Sequence, residues 1–258
     1  MRGGALLRPV ALAAGFAFLY GPIALLVLYS FNSSRLVTVW AGFSTRWYAA
    51  LFADAQMIES AWVSFIVALT SAAIATCVGG LAAVVLVRHR RAPGRGLFSL
   101  ALHAPLVMPE VILGLALLLV FVAFDIDRGR ITVILAHAAF TTCFVTVIVR
   151  ARLAGVDPAL EEAARDLGAT PFTAFRDTVL PLLAPALASG FLLAFTLSLD
   201  DLVIASFTSG PGATTLPMRI YSQVRLGVTP EINALSTLVL GAVGVMLLAA
   251  ALVLRRRR

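Results

Sequence analysis

Three carboxylates stand in the oiliest parts of this chain: Glu110, in Ala104-Pro105-Leu106-Val107-Met108-Pro109-Glu110, and the pair in Ser198-Leu199-Asp200-Asp201-Leu202. Near the middle of a bilayer an aspartate costs at least ~2.5–3.5 kcal/mol on insertion scales, so it must face a bundle interior or a wet cavity and find a partner. Lysine cannot be that partner, because all 20 basic residues are arginine, and the arginines cluster outside these segments. An incoming organic cation is the economical alternative. Carboxylates give ammonium groups strong ionic hydrogen bonds, aromatic faces add cation–π attraction, and separated weak sites let a solute move on. Trp62, Phe195, Phe207 and Tyr221 are the aromatic residues placed to line such a route. The competing role for the acids is hydrogen bonding between helices. Successive helical residues point about 100° apart, so Asp200 and Asp201 cannot both line one narrow path. One faces the pathway while the other anchors a neighbouring helix, and the sequence leaves open which.

Other chemistries fit less well. A metal pair at Asp200-Asp201 wants further acids or histidines at helical spacing, and Leu202, Val203, Ile204 and Ala205 follow instead. His89, His103 and His137 share no ligand spacing and read as loop, helix-end and core residues; Cys77 and Cys143 read as small buried groups. Without lysine the chain has no P-loop, Schiff base or Ser-Lys pair, so any ATP hydrolysis belongs to another polypeptide.

The elements that position these acids are membrane helices. Of the 258 residues 60% are hydrophobic and 13% charged, with a mean hydropathy of +0.98, against about 25% charged in a soluble domain. Runs of roughly 20 residues, long enough to cross a bilayer, fall near 9–30, 60–87, 98–124, 131–149, 186–207 and 234–254. The expected fold is all-α: one integral membrane domain over 1–258, with six transmembrane helices. Counting from Pro185, Asp200 lies about 22 Å into its span at roughly 1.5 Å per residue, and Glu110 rises roughly 18 Å into its own. The acids are expected to share a level. Pro105 and Pro109 are expected to bend the third span, since each removes a backbone donor.

Arginine counts orient the spans. The side holding both termini carries 14 of the 20 arginines, among them Arg88, Arg90, Arg91, Arg150, Arg152, Arg165 and Arg255 to Arg258. The positive-inside rule puts that side, and both termini, in the cytoplasm. The basic pI of 10.6 is then a matter of topology and anionic lipid, and no nucleic-acid partner is needed. The first apolar run is too long and too aromatic for a secretory signal and is expected to be a retained anchor.

The one long polar stretch, residues 157–185 (DPALEEAARDLGATPFTAFRDTVLPLLAP), falls on the cytoplasmic side. Asp157 can cap a helix that Pro158 opens and Gly168 ends; Thr170 and Pro171 start a second, expected to stop at Leu180-Pro181. Ala163 and Ala164 allow close approach, Phe172 and Phe175 offer apolar knobs, and Glu162, Arg165 and Asp166 offer polar contacts. Glu162-Ala163-Ala164, then Gly168, then Leu180-Pro181 resembles the EAA coupling loop of binding-protein-dependent ABC importers of type I. Thr178 departs from that pattern, which usually has an aliphatic residue there.

The resemblance extends over nearly the whole chain. The stretch LAFTLSLDDLVIASFTSGPGATTLPMRIYSQVRLGVTPEINALSTL, with APLVMPEVILGLALLL and SFNSSRLVTVWAGFSTRWY, is similar to the permeases of polyamine ABC importers and closest to their putrescine-transport subunits. This resemblance implies a bacterial inner-membrane permease without a cofactor of its own, working by alternating access. Its implied partners are a related second permease, an ATPase dimer holding ATP and Mg, and a periplasmic polyamine-binding protein, with a small cationic solute. Outer residues Asn32 to Gln56, with Trp40, Trp47, Tyr48, Arg35 and Arg46, are then expected to meet the binding protein. An importer for spermidine or another small solute is the alternative.

Overall fold

A computed structural model of the protein describes residues 4–36, 39–89, 91–227 and 229–241. Among them the secondary structure is helical apart from one isolated bridge, Asn32 with Phe43. Four helices are long and apolar enough to cross a membrane: Pro9–Ser30, Ala55–Arg88, Arg130–Ala154 and Pro171–Leu199. The fold is therefore all-α and of membrane type. The expected sixth span, 234–254, is helical from 230 to 241, and its remainder lies outside the described residues.

The chain forms two compact units. The first, residues 1–58 with 220–258, begins with α1 (Gly4–Ser30) and includes α2 (Arg46–Ala53). Between them Asn32 ties a turn together. Its side-chain oxygen accepts from the Ser34 and Ala41 amides at 3.1 and 2.9 Å, and its amide donates to the Val39 carbonyl at 2.7 Å. Trp47 Nε1 donates to the Asn32 carbonyl at 2.6 Å and is buried, and Tyr48 pairs with Ser30 at 2.7 Å. These two aromatics, grouped above with an outer docking face, are spent on folding the loop. Leu36, Trp40 and Phe43 remain exposed.

The second unit, residues 59–219, holds most of α3 (Ala55–Arg88), then α4 (Arg95–Val107), α5 (Glu110–Ala123) and α6 (Arg130–Ala154). It continues through α7 (Ala159–Asp166), α8 (Pro171–Ala174), α9 (Leu180–Leu199), α10 (Val203–Thr208) and the start of α11 (Leu216–Leu226). Small residues bring its helices together, as expected where lipid offers no hydrophobic drive. A Cβ on Gly79 would stand 2.9 Å from both the Thr142 carbonyl oxygen and the Val145 Cβ. Ser71 donates to the Ile134 carbonyl at 3.0 Å, so α3 and α6 run parallel. Gly190 rests on Val145 and Arg152 Nε donates to the Leu182 carbonyl at 3.1 Å, so α9 runs opposite to both. Ala72, Ala75, Ala83, Val145, Val149, Leu183 and Ala194 fill the space between them.

Three expected boundaries move. The third span is broken rather than bent: α4 continues through Pro105, and the chain turns extended at Met108 (ψ 136) and Pro109 (ψ 135) before α5 starts. A residue preceding proline is driven out of the helical region, which places the break at Met108. The fifth span stops at Leu199 and resumes at Val203, with Asp200 to Leu202 between. The second coupling helix does not stop at Leu180-Pro181. It passes through a π turn, Phe175–Val179, straight into α9. A wider turn just upstream accommodates a proline that has no N–H to give.

Candidate functional site

The two broken spans are neighbours. Gly114 of α5 lies against Ile204 and Phe207 of α10, where a Cβ would sit 2.7 Å from the Phe207 ring and 3.4 Å from Ile204 Cα. Only a short turn joins α5 to α6, and Thr132 at the start of α6 donates to the Thr208 carbonyl at the end of α10 at 2.7 Å. Both half-helices therefore finish at the same end and run parallel. Glu110 precedes Gly114 by about one turn, and Asp200 and Asp201 precede Ile204 by about one turn. The two breaks sit at one level.

Glu110 occupies the first turn of α5, where a helix N-terminus favours negative charge, and is exposed. Asp200 ends α9 and is exposed as well. The ion pairs among the described residues are Arg88–Glu161, His137–Asp201 and Arg176–Asp177, so neither of these acids belongs to one. Asp201 has the opposite surroundings. Its side chain is only 4% exposed and accepts from the Ala205 amide at 2.8 Å and the Ile204 amide at 3.4 Å, closing the start of α10. His137 Nε2 stands 3.1 Å from its Oδ1, near enough for electrostatic attraction but without the alignment of a hydrogen bond. The other ring nitrogen, Nδ1, lies 2.7 Å from Ser198 Oγ. Asp201, grouped with the pathway acids above, is in this conformation turned into the protein.

The aromatic residues divide. Trp62 stacks on Phe65 at 5.8 Å, Phe65 meets Phe195 edge-on at 6.0 Å, and Phe195 stacks on Phe191 at 6.4 Å. Trp62 and Phe195 thus belong to one ladder across α3 and α9, joined by Phe65, a residue the sequence reading passed over. Tyr221 lies in the other unit, with Arg225 5.6 Å over its ring. An apolar cavity of about 330 Å³ between α3 and α9, lined by Cys77, Gly80, Leu81, Phe175, Leu183 and Leu187, contains none of the acids.

The polar loop folds largely as its residues dictate. Asp157 Oδ1 accepts from the Ala159 amide at 3.0 Å and opens α7. Gly168, at φ +94, closes it: its amide reaches the Arg165 carbonyl and the Ala169 amide the Ala164 carbonyl, at 2.9 and 3.1 Å. This is the paired bonding of a Schellman ending. Thr170 accepts from the Thr173 amide at 3.2 Å and opens α8. Glu162, Ala163, Arg165, Asp166, Phe172 and Leu180 are exposed, and Leu167 is 90% exposed. What composition did not show is Arg88. This last residue of α3 pairs with Glu161 of α7 and places its guanidinium 4.9 Å over the Phe175 ring, so one side chain holds both halves of the loop. A clue lay in its position, the first cation after a long apolar run and the last residue of its helix.

Residues 75–258 match the family described as the binding-protein-dependent transport system inner membrane component. The chain is 56% identical over 245 residues to the putrescine transport system permease protein PotI of Escherichia coli K12, covering 93% of this chain and 87% of that one. It is 42% identical over 252 residues to the spermidine/putrescine transport system permease protein PotC of the same strain, covering 98% and 95%. A solved bacterial ABC transporter involved in import of the acidic polysaccharide alginate shares its fold at a TM-score of 0.75 and 17% identity, covering 97% and 95%. A membrane-type helical chain carrying an exposed two-helix loop, matching this family over residues 75–258 and aligned to transport permeases over more than nine-tenths of its length, is a transport subunit rather than an enzyme: the protein belongs to the binding-protein-dependent ABC importer inner-membrane components.

Proposed function

We propose that the chain forms half of the transmembrane route of a polyamine importer with putrescine as its principal solute. The observation that carries the reading is a pair of adjacent spans broken at one level, each presenting an exposed carboxylate, Glu110 and Asp200. Such groups, with the ladder that includes Trp62 and Phe195, suit a diammonium chain: ionic hydrogen bonds at the ends and aromatic faces along its length. The identity to PotI favours putrescine, and the lower identity to PotC makes spermidine the second reading. Tyr221 and Asp201 stay in the proposed pathway set, Asp201 by holding the break. A related permease supplies the other half, an ATPase dimer with ATP and Mg supplies the drive, and a periplasmic polyamine-binding protein delivers the solute. The arginine excess supports a topology with both termini and the loop 157–185 in the cytoplasm.

Uptake of radiolabelled putrescine and spermidine, with and without the assembled complex, tests the substrate. Putrescine is expected to enter faster, and amino-acid uptake to be unaffected. Asp200→Asn and Glu110→Gln are each expected to lower putrescine uptake about tenfold, because a charged hydrogen bond is worth ~1.5–3 kcal/mol and ~1.4 kcal/mol is a factor of ten. Wild-type rates in both variants would remove the carboxylate route.

The same reading makes α7 and α8 the seat of the ATPase, with Ala163, Ala164, Gly168, Phe172, Leu180 and Pro181 in the coupling element. Arg88 then acts as a strut between that element and α3. Its partly exposed ion pair adds little stability, about 0–1 kcal/mol, so its loss is expected to appear in transport rather than in assembly. Arg88→Glu should reduce uptake several-fold per assembled complex, and adding Glu161→Arg should restore much of it. No recovery in the swapped pair would assign Arg88 some other task.

A further inference from the structure

We infer that His137 is a positioning residue for the pathway, acting through the break in the fifth span to set where Asp200 stands; the inference rests on Asp200 being a pathway acid. His137 lies on α6, a helix uninterrupted over 25 residues, and is 1% exposed. Nearby Thr141, Thr142 and Thr146 use their hydroxyls on carbonyls of their own helix, at 2.6 to 2.8 Å. The His137 ring instead reaches across to Ser198, just before the break, and to Asp201 within it. One rigid ring therefore spans the point where α9 gives way to α10.

A break inside a membrane span frees backbone groups that have no water to turn to. Asp201 answers two of them, the Ile204 and Ala205 amides, and as a buried polar group itself needs a neighbour. His137 is that neighbour. With Nδ1 on the Ser198 hydroxyl, Nε2 faces Asp201 Oδ1 at 3.1 Å, an electrostatic contact without the alignment of a hydrogen bond, so one ring orientation makes both contacts. With Asp201 held inward toward α6, Asp200 next to it is directed outward, as its exposure reflects. Loss of the imidazole leaves Asp201 without its lateral electrostatic contact and Ser198 without its partner across the break. The three-residue break can then shift and carry Asp200 with it, although no contact of Asp200 itself has been removed.

The test uses the complete complex in proteoliposomes with loaded binding protein, and reads putrescine delivered per ATP hydrolysed. Fewer assembled complexes would lower both quantities together and leave this ratio unchanged, so a merely structural role does not move it. His137→Ala is expected to lower the ratio about fivefold, and His137→Gln, which keeps a donor and an acceptor, to recover part of it. In an Asp200→Asn background, His137→Ala should add nothing further. An equal additional loss in that background would show that His137 acts independently of Asp200 and overturn the inference. Should His137→Ala fail to assemble, Ser198→Ala goes through the same cycle with a smaller expected loss; failure of all three to assemble would make the contact a folding requirement and refute the positioning role. A wild-type ratio in Asp200→Asn alone would instead defeat the pathway reading, a distinguishable result.

Discussion

Gly168→Arg is expected to leave the protein in the membrane and abolish uptake, with recovery of the ATPase alongside it reduced at least tenfold. Two effects combine. Gly168 has φ +94, and a Cβ there meets nothing within 4 Å, so the internal cost is backbone strain of about 1–2 kcal/mol. The larger effect is the long cation set at the corner between α7 and α8, on the face proposed to enter the ATPase. Gly168→Ala separates the two, since it carries the strain without the bulk, and is expected to retain most uptake. Co-purification of the ATPase with each variant gives the comparison; full recruitment and uptake with Gly168→Arg would remove the docking assignment.

Gly210→Ala is expected to remove assembled protein altogether. The Cβ it introduces would fall inside the Arg128 carbonyl and crowd the Gly129 amide at 3.1 Å. These are backbone atoms at the turn into α6, and no rotamer change relieves the overlap. Thr132 bonding to the Thr208 carbonyl and Arg130 to the Gly212 carbonyl at 3.2 Å hold the two turns together. Overpacking usually costs 1–3 kcal/mol; here, with backbone overlapping backbone, about 3 kcal/mol or more would lower the ratio of folded to unfolded protein by roughly a hundredfold or more. Gly212→Ala is the informative companion. Gly212 has φ +70 with open space around it, so only strain is added and a milder loss is expected. Quantifying both variants in membranes checks the difference, and wild-type abundance of Gly210→Ala would contradict the packing.

Much of the fold was legible because membrane helices announce themselves locally. A run of apolar residues of spanning length needs no distant partner to be recognised, and the expected spans near 9–30, 60–87 and 131–149 match helices of the structure. The caps of the polar loop were readable for the same reason: Asp157, Thr170 and Gly168 act on amides and carbonyls a few residues away. The breaks at Met108-Pro109 and Asp200 to Leu202 were less accessible. Pro109 marked the first, but nothing like it marks the second, where Asp201 replaces intrahelical bonds from the side. The continuation through Leu180-Pro181 was misread because proline usually ends a helix, whereas a π turn lets this one pass.

The sequence by itself determined the class of molecule, the apolar helical runs, the one-sided excess of arginine and the short capped helices, all set by composition or by bonds between near neighbours. Tertiary structure decided the rest. Residue counting had the acids at one level, but only the packing of α5 on α10 made their two spans neighbours, only His137 on α6 distinguished inward Asp201 from exposed Asp200, and only Arg88 joined α3 to both halves of the loop. Each is a contact between residues distant in the chain, whose partner depends on which faces of the apolar helices meet. Hydrophobicity drives such helices into the membrane without choosing among those faces; small residues, buried hydrogen bonds and charge make that choice.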